Sequence, residues 1–256
     1  MIQTLSDYIT QLAELKRNFG TDDFFFRGQG SEEWKISSSA YRRLDKNKLP
    51  LTSQTMFSYI SSLLIETRKR DFTNSLTDLD LIAEIQHRGG ATTFIDFSKD
   101  AFIALYMACS SSSNSDNPIV YCIQKDIAEL SNLTKSSNYA NWFDNTSDSH
   151  NFYYFPALVN NRIIKQSGLF VFNKLGLINK DTITEKIIID SKFKNLIVEE
   201  LKEYANLTEE TVYPDLQGFL NANNQFSPLK LTSEYFQEAL EEFENESYYG
   251  CDFNMM

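Results

Sequence analysis

The chain has 256 residues, of which 42% are hydrophobic and 14% aromatic, and its net charge is −11. Length and aromatic content exclude a disordered chain and predict a large buried core. The excess of acid argues against sequence-independent binding of duplex DNA, but it leaves room for one locally basic cavity.

The chain has three cysteines and two histidines, and no Cys-x-x-Cys pair. The odd cysteine count argues against a closed disulfide framework, and the thiols and imidazoles are too few for an ordinary structural zinc site, so we expect no metal. The N-terminus lacks the basic start and apolar run of a secretory signal, and no apolar stretch reaches the roughly 18 residues that a membrane helix needs. We therefore expect a cytoplasmic protein without membrane contact.

Apolar residues from Leu5 to Leu15 recur at helical spacing, with Thr4 and Asp7 spaced as a capping box and Gly20 suited to the C-cap. Further helices are predicted over 53–72, 77–88, 100–110, 192–204 and 233–245, with a short one over 214–220. Strands are predicted over 22–27, 92–97, 119–123, 152–155, 168–172 and 186–190, a strand or turn over 34–41, and loops over 110–116 and 133–151.

Helices and strands are mixed along the chain without a regular βαβ alternation. The sequence therefore predicts an α+β fold, with a mixed, mainly antiparallel sheet core surrounded by helices. We expect one domain over residues 1–256, in which residues 233–245 form an acidic C-terminal helix.

The first candidate site is the segment FRGQG at residues 26–30. A short aromatic strand ends in Arg27, whose planar fork of donors suits a phosphate or carboxylate. Gly28 has no side chain and would let a ligand approach the backbone. The alternative is an arginine paired to an internal acid in a tight turn.

The second candidate is the segment QHRGGATTFIDFS at residues 86–98. Asp96 lies in an apolar strand and needs a partner, which Arg27 or Arg162 could provide. His87 could act as an acid, a base or a phosphate donor. The alternative is a capping histidine and a structural Asp–Arg pair.

The third candidate is the segment NRIIKQSGLF at residues 161–170. Arg162 and Gln166 share one face if this segment is helical. The glutamine amide can both donate and accept hydrogen bonds, which suits recognition of a base or an amide. The alternative is a helix end with a solvated arginine.

Taken in order, these segments resemble the FRG-domain family, which is named for a Phe-Arg-Gly motif such as that at residues 26–28. Residues 86–98 resemble its block Gln-His-x-Gly-x-Pro-Thr-Arg-Leu-Leu-Asp-Trp-Thr, and residues 104–108 the following Ala-Leu-Tyr-Phe-Ala. Later blocks are matched by residues 160–170 and 198–218, so the resemblance extends over about residues 22–220. Ala91 and Thr93 stand where the family usually has Pro and Arg.

The family is associated with bacteria and phages and with defence or toxin contexts, and its layout is similar to that of an ADP-ribosyltransferase. This similarity implies NAD or another nucleotide as the cofactor. It implies catalytic roles for His87, Asp96 and Gln166, although an ADP-ribosyltransferase has an acid where Gln166 stands. The implied cofactor-binding residues are Arg27, Gly28, Gln29, Thr92, Ser98, Tyr106 and Arg162.

We therefore expect a nucleotide- or NAD-using, transferase-like effector or toxin. The alternative is a non-catalytic module that binds a nucleotide or a partner as a sensor in a defence system. A third hypothesis is an interaction protein whose acidic surface occupies a basic site on its partner. A protein partner or antitoxin is thus expected beside the small-molecule nucleotide.

Overall fold

The computed structural model describes residues 1–21, 23–70, 75–110, 116–127, 130–133, 138–157 and 161–214. Residues Met1–Pro214 form one compact α+β unit. The predicted acidic helix over 233–245 and the residues 215–220 lie outside the described residues. The extension of one domain to residue 256 stays a prediction.

The described strands form one mixed sheet, which confirms the predicted fold class. They are β1 (Phe24–Gln29), β2 (Ile95–Ser98), β3 (Ile119–Gln124), β4 (Leu130–Asn132), β5 (Asn151–Tyr154), β6 (Gly168–Phe172) and β7 (Glu185–Ile188). Their spatial order is β4-β5-β6-β2-β1-β3-β7, and every neighbouring pair is antiparallel except β4 with β5.

Helices surround this sheet. They are α1 (Leu5–Phe19), α2 (Ser39–Lys46), α3 (Ser53–Arg70), α4 (Asp78–His87), α5 (Ala101–Cys109), α6 (Tyr139–Asp144), α7 (Asn161–Lys165), α8 (Lys194–Ala205) and α9 (Glu209–Val212). The capping box of Thr4 with Asp7 and the left-handed C-cap at Gly20 are confirmed. Over the described ranges, no helix combines the length and apolar character needed to cross a membrane.

The helices α2, α6 and α9 were not predicted, because local capping formed them where the apolar spacing was weak. The segment 34–41 was predicted as a strand or turn, but α2 begins there because the Ser38 hydroxyl accepts a hydrogen bond from the Tyr41 amide. The loop predicted over 133–151 contains α6, where the Asn138 side chain caps the Asn141 amide. A helix of six residues is too short to show a clear period.

The register of three strands places Asp96, Ser98 and Gly168 on one face of the sheet, between two phenylalanines. Phe26 of β1 lies opposite Ser98 of β2, and Ser98 lies opposite Gly168 of β6. Asp96 shares this face, because it is two residues from Ser98, and it lies opposite Phe170. Residues of this face belong to two different hydrophobic clusters, one containing Phe26 and the other Phe170.

The first of these clusters includes α5, which packs closely on β1. A Cβ atom placed on Gly28 would lie 1.9 Å from the Ala104 carbonyl oxygen and 2.6 Å from the Ala108 nitrogen. The glycine at this position is therefore required for contact between helix and strand. Gly28 also borders the cavity described below, so the expectation that it admits a ligand to the backbone stays a prediction.

Replacement of Gly28 by alanine is expected to lower the free energy of unfolding by about 1–3 kcal/mol, because α5 must shift away from β1. Denaturant unfolding of the purified protein measures the change. Gly168→Ala is the matched control: its Cβ would come no closer than 3.6 Å to a neighbour, so its stability should stay within about 0.5 kcal/mol of the wild-type value. Equal stability of the two variants would contradict the packing role.

Candidate functional site

A cavity of about 290 Å³ lies over β1, β2 and β6, on the sheet face that bears Asp96 and Ser98. Its walls come from α4, α5, α7 and the residue that follows α9. Apolar residues of its lining belong to three hydrophobic clusters, so it lies where these clusters meet. The polar and aromatic residues of interest in this lining are Arg27, Gln86, His87, Asp96, Ser98, Arg162, Gln166 and Tyr213.

Arg27 lies where β1 and β2 diverge, because the two strands share only the pair Phe26–Ser98. Its Nη1 donates to the main-chain oxygen of Asp96 at 2.6 Å, and its Nε donates to Gln29 Oε1 at 3.1 Å. Burial lowers the pKa of Arg27, while the Asp96 carboxylate acts in the opposite direction. The group stays cationic, and its Nη2 has no hydrogen-bond partner among the described residues.

Asp96 is exposed to the cavity, and its carboxylate accepts a hydrogen bond from Gln86 Nε2 at 3.1 Å. The predicted ion pair with Arg27 or Arg162 does not form among the described residues. The prediction was wrong because it placed the carboxylate in an apolar interior. Arg27 binds the main chain of Asp96 instead, which leaves the carboxylate facing the open space.

His87 and Ser98 border the cavity in different ways. His87 ends α4 and is half-buried, and its side chain makes no hydrogen bond to the part of the chain that the structure describes. The Ser98 hydroxyl donates to the Gln166 main-chain oxygen at 2.6 Å and accepts from the Asp100 amide at 2.8 Å. Ser98 therefore joins the second and third candidate segments and has a structural role beside any contact with a ligand.

Residues Asn161–Lys165 of the third segment are helical, which is the condition under which Arg162 and Gln166 were expected to share one face. Both of these residues border the cavity. The guanidinium carbon of Arg162 lies 4.8 Å from the centre of the Tyr213 ring. Gln166 Nε2 donates to the Val212 main-chain oxygen at 3.1 Å. The two side chains thus hold the segment after α9 against the cavity.

Tyr213 follows α9 and forms part of the cavity wall. Its hydroxyl lies 2.8 Å from the sulfur of Met107. Burial raises the pKa of Tyr213; the charge of Arg162 opposes this effect and the charge of Asp96 adds to it. The charges of Arg162 and Asp96 therefore both affect the Tyr213 side chain at the edge of the cavity. Such a ring offers a flat apolar surface to a planar ligand.

Three of the predicted cofactor-binding residues do not border the cavity. Gln29 is buried between Arg27 and the Trp34 carbonyl oxygen, so it positions the arginine. Thr92 is fully buried, and its hydroxyl donates a hydrogen bond to Gln86 Oε1. Tyr106 is buried on a side of α5 that lies about 100° away from its neighbour Met107, which does border the cavity.

Sequence reasoning missed Gln86, Met107 and Tyr213 as lining residues. Gln86 stands beside His87 in the second segment, and its position at the end of a helix could have indicated a role. Met107 and Tyr213 stand in segments that resemble family blocks, but their place at the cavity depends on how α5 and α9 pack, which the sequence does not show.

The charged groups of the lining are two guanidinium groups and one carboxylate, with an imidazole beside them. The cavity is therefore locally basic in a chain of net charge −11. This composition suits a ligand with both phosphate and hydroxyl groups. In the described ranges, no three His, Cys, Asp or Glu side chains gather as ligands for a metal ion.

Comparison with known proteins gives one match. The model of the FRG domain matches residues 22–117, a range that contains β1, β2, α4 and α5 and thus Arg27, Gln86, His87 and Asp96. No curated protein and no solved structure matches the chain. The resemblance of residues 160–170 and 198–218 to later blocks of the family lies beyond the matched range and stays a prediction. The match confirms the expected resemblance over residues 22–117, and the chain contains an FRG domain there.

Proposed function

We propose that the cavity binds a nucleotide and that NAD is the nucleotide it uses, as the donor in an ADP-ribosyl transfer reaction. The observation that carries this proposal is the presence of Arg27, Arg162, His87 and the Asp96 carboxylate around one cavity. Cations suit the pyrophosphate, and a carboxylate suits a sugar that develops positive charge.

The phosphates would bind between the two arginines. Arg27 is held in place by two hydrogen bonds and keeps Nη2 for a ligand, and Arg162 is oriented by its contact with the Tyr213 ring. Arginines fixed in this way lose little conformational freedom when a phosphate binds. His87 adds a third donor from the end of α4.

The size of the cavity sets which part of the ligand it encloses. Its volume of about 290 Å³ is at the lower limit of small-molecule sites, which span roughly 300–1,000 Å³. The cavity would therefore enclose one nucleotide half of NAD, and the other half would lie at its mouth. A planar ring of the enclosed half would stack on Tyr213.

In the reaction, the bond between the ribose C1′ and the nicotinamide nitrogen breaks, and nicotinamide leaves with the bonding electrons. Asp96 would stabilise the positive charge that develops on the ribose. A hydroxyl of water or of an acceptor then bonds C1′ and loses its proton, which His87 can accept. With water as the acceptor, the products are ADP-ribose, nicotinamide and one proton.

A non-catalytic nucleotide sensor is the second candidate, and Gln166 favours it. An amide at this position provides no negative charge, and its Nε2 is already bonded to the Val212 oxygen. The transferase and the sensor would bind the nucleotide in the same cavity, so the two functions differ only in whether NAD is cleaved. A role as effector, toxin or defence component, with a protein partner or antitoxin, rests on the family resemblance.

Replacement of Arg162 by alanine is expected to weaken binding of NAD and of ADP-ribose about tenfold or more, because a charged hydrogen bond contributes about 1.5–3 kcal/mol. Isothermal titration calorimetry measures the affinity. Lys165→Ala is the matched control, since Lys165 is exposed on the same helix and does not border the cavity. Equal affinities of the two variants would exclude Arg162 from the phosphate site.

Replacement of Asp96 by asparagine is expected to reduce nicotinamide release about 10²–10³-fold while affinity for ADP-ribose changes little, because only the charge at the transition state is lost. Asparagine can still accept the hydrogen bond from Gln86. Nicotinamide is measured by chromatography after incubation with NAD. A wild-type protein that binds NAD and releases no nicotinamide would contradict the transfer reaction and leave the sensor function.

A further inference from the structure

Gln86 is the side chain that contacts the Asp96 carboxylate. It lies in the last turn of α4, and its amide spans the space between α4 and β2. Its Nε2 lies 3.1 Å from Asp96 Oδ2 and 3.5 Å from the Phe94 main-chain oxygen. Its Oε1 lies 2.5 Å from the Thr92 hydroxyl.

Chemistry fixes the orientation of this amide. The Asp96 carboxylate and the Phe94 carbonyl are acceptors only, so the amide nitrogen must face them. The Thr92 hydroxyl accepts a hydrogen bond from the Phe94 amide at 3.2 Å, so its proton is available for Gln86 Oε1. Rotation of the amide by 180° would place two acceptors against each other at Asp96.

The main-chain amide and carbonyl groups of Thr92 are both held by hydrogen bonds. Thr92 is fully buried, its amide donates to the Ser39 hydroxyl at 3.0 Å, and its carbonyl accepts from the Ala40 amide at 2.9 Å. Ser39 and Ala40 form the first turn of α2. A continuous series of hydrogen bonds therefore runs from α2 through Thr92 and Gln86 to the carboxylate in the cavity.

We infer that Gln86 is a positioning residue, which holds the Asp96 carboxylate towards the ribose, and that Thr92 sets the direction of the Gln86 amide. This role rests on the proposed transfer reaction, because it acts through the carboxylate that the reaction requires. Gln86 does not need to touch the substrate. Thr92 is predicted from sequence to bind the cofactor, but in this role two side chains, Gln86 and Asp96, would lie between it and the cofactor.

A ligand-free measurement tests the contact independently of activity. In ¹⁵N-edited spectra, the Gln86 side-chain amide is assigned by its loss in Gln86→Met. One of its two protons should change its chemical shift in Asp96→Ala, because the contact with the carboxylate is lost, and should keep it in Lys165→Ala. Unchanged amide shifts in Asp96→Ala would overturn the inference.

Kinetics test the positioning role. Thr92→Val and Gln86→Met are expected to lower the kcat of nicotinamide release about 10- to 100-fold with little change in KM, since displacement of a catalytic group by about 1 Å costs on the order of 10²-fold. Thr92→Ser keeps the hydroxyl and should retain most of the activity. Unfolding curves show whether each variant is folded.

The outcomes separate the two proposals. Folded Thr92→Val and Gln86→Met proteins with wild-type kcat would overturn the positioning role while the transfer reaction stands. A wild-type protein that releases no nicotinamide would overturn the transfer reaction and, with it, the catalytic part of the positioning role. The amide spectrum would then still decide whether Gln86 and Asp96 are in contact.

Discussion

The hydrogen bond from Arg27 to the main-chain oxygen of Asp96 determines the geometry of the site. Neighbouring antiparallel strands normally continue their ladder, but β1 and β2 share one pair and then separate. The guanidinium satisfies a carbonyl group that the ladder would otherwise have used. The strands can therefore diverge while this carbonyl group keeps a hydrogen-bond partner, and the Asp96 side chain faces the cavity.

The charge of the cavity lining differs in sign from the net charge of the chain. The net charge of −11 would repel an anionic ligand at long range, whereas the lining offers two guanidinium groups at short range. Such a distribution favours a small anion that can enter a cavity over a long polyanion such as duplex DNA, which would meet the acidic surface. Overall charge is thus a poor guide to what one cavity binds.

Much of the fold could be predicted from sequence, because its longer elements have strong periodicity or capping signals. The helix α1 with its capping box and the strand β6 are examples. The short helices α2 and α6 could not be predicted, since single capping residues determine them. For the site, sequence identified Arg27, His87, Asp96, Arg162 and Gln166, all of which border one cavity.

The failures at the site have one physical cause. Sequence shows which residue types are present but does not show whether a side chain turns towards a ligand or towards its own backbone. Gln29 and Thr92 are polar residues in promising segments, yet both use their hydrogen bonds to fix a neighbour. Tyr213 borders the cavity only because the turn after α9 is held by Gln166 and Met107.

The walls of the cavity come from both ends of the compact unit, from β1 near its start to Tyr213 near its end. Binding of a ligand in this cavity would therefore be thermodynamically linked to folding, because any opening that detaches either end of the unit would remove part of the site. A ligand at 100 times its dissociation constant would stabilise the whole unit by about 2.7 kcal/mol. Cellular concentrations of the true ligand would then influence how long the protein survives proteolysis.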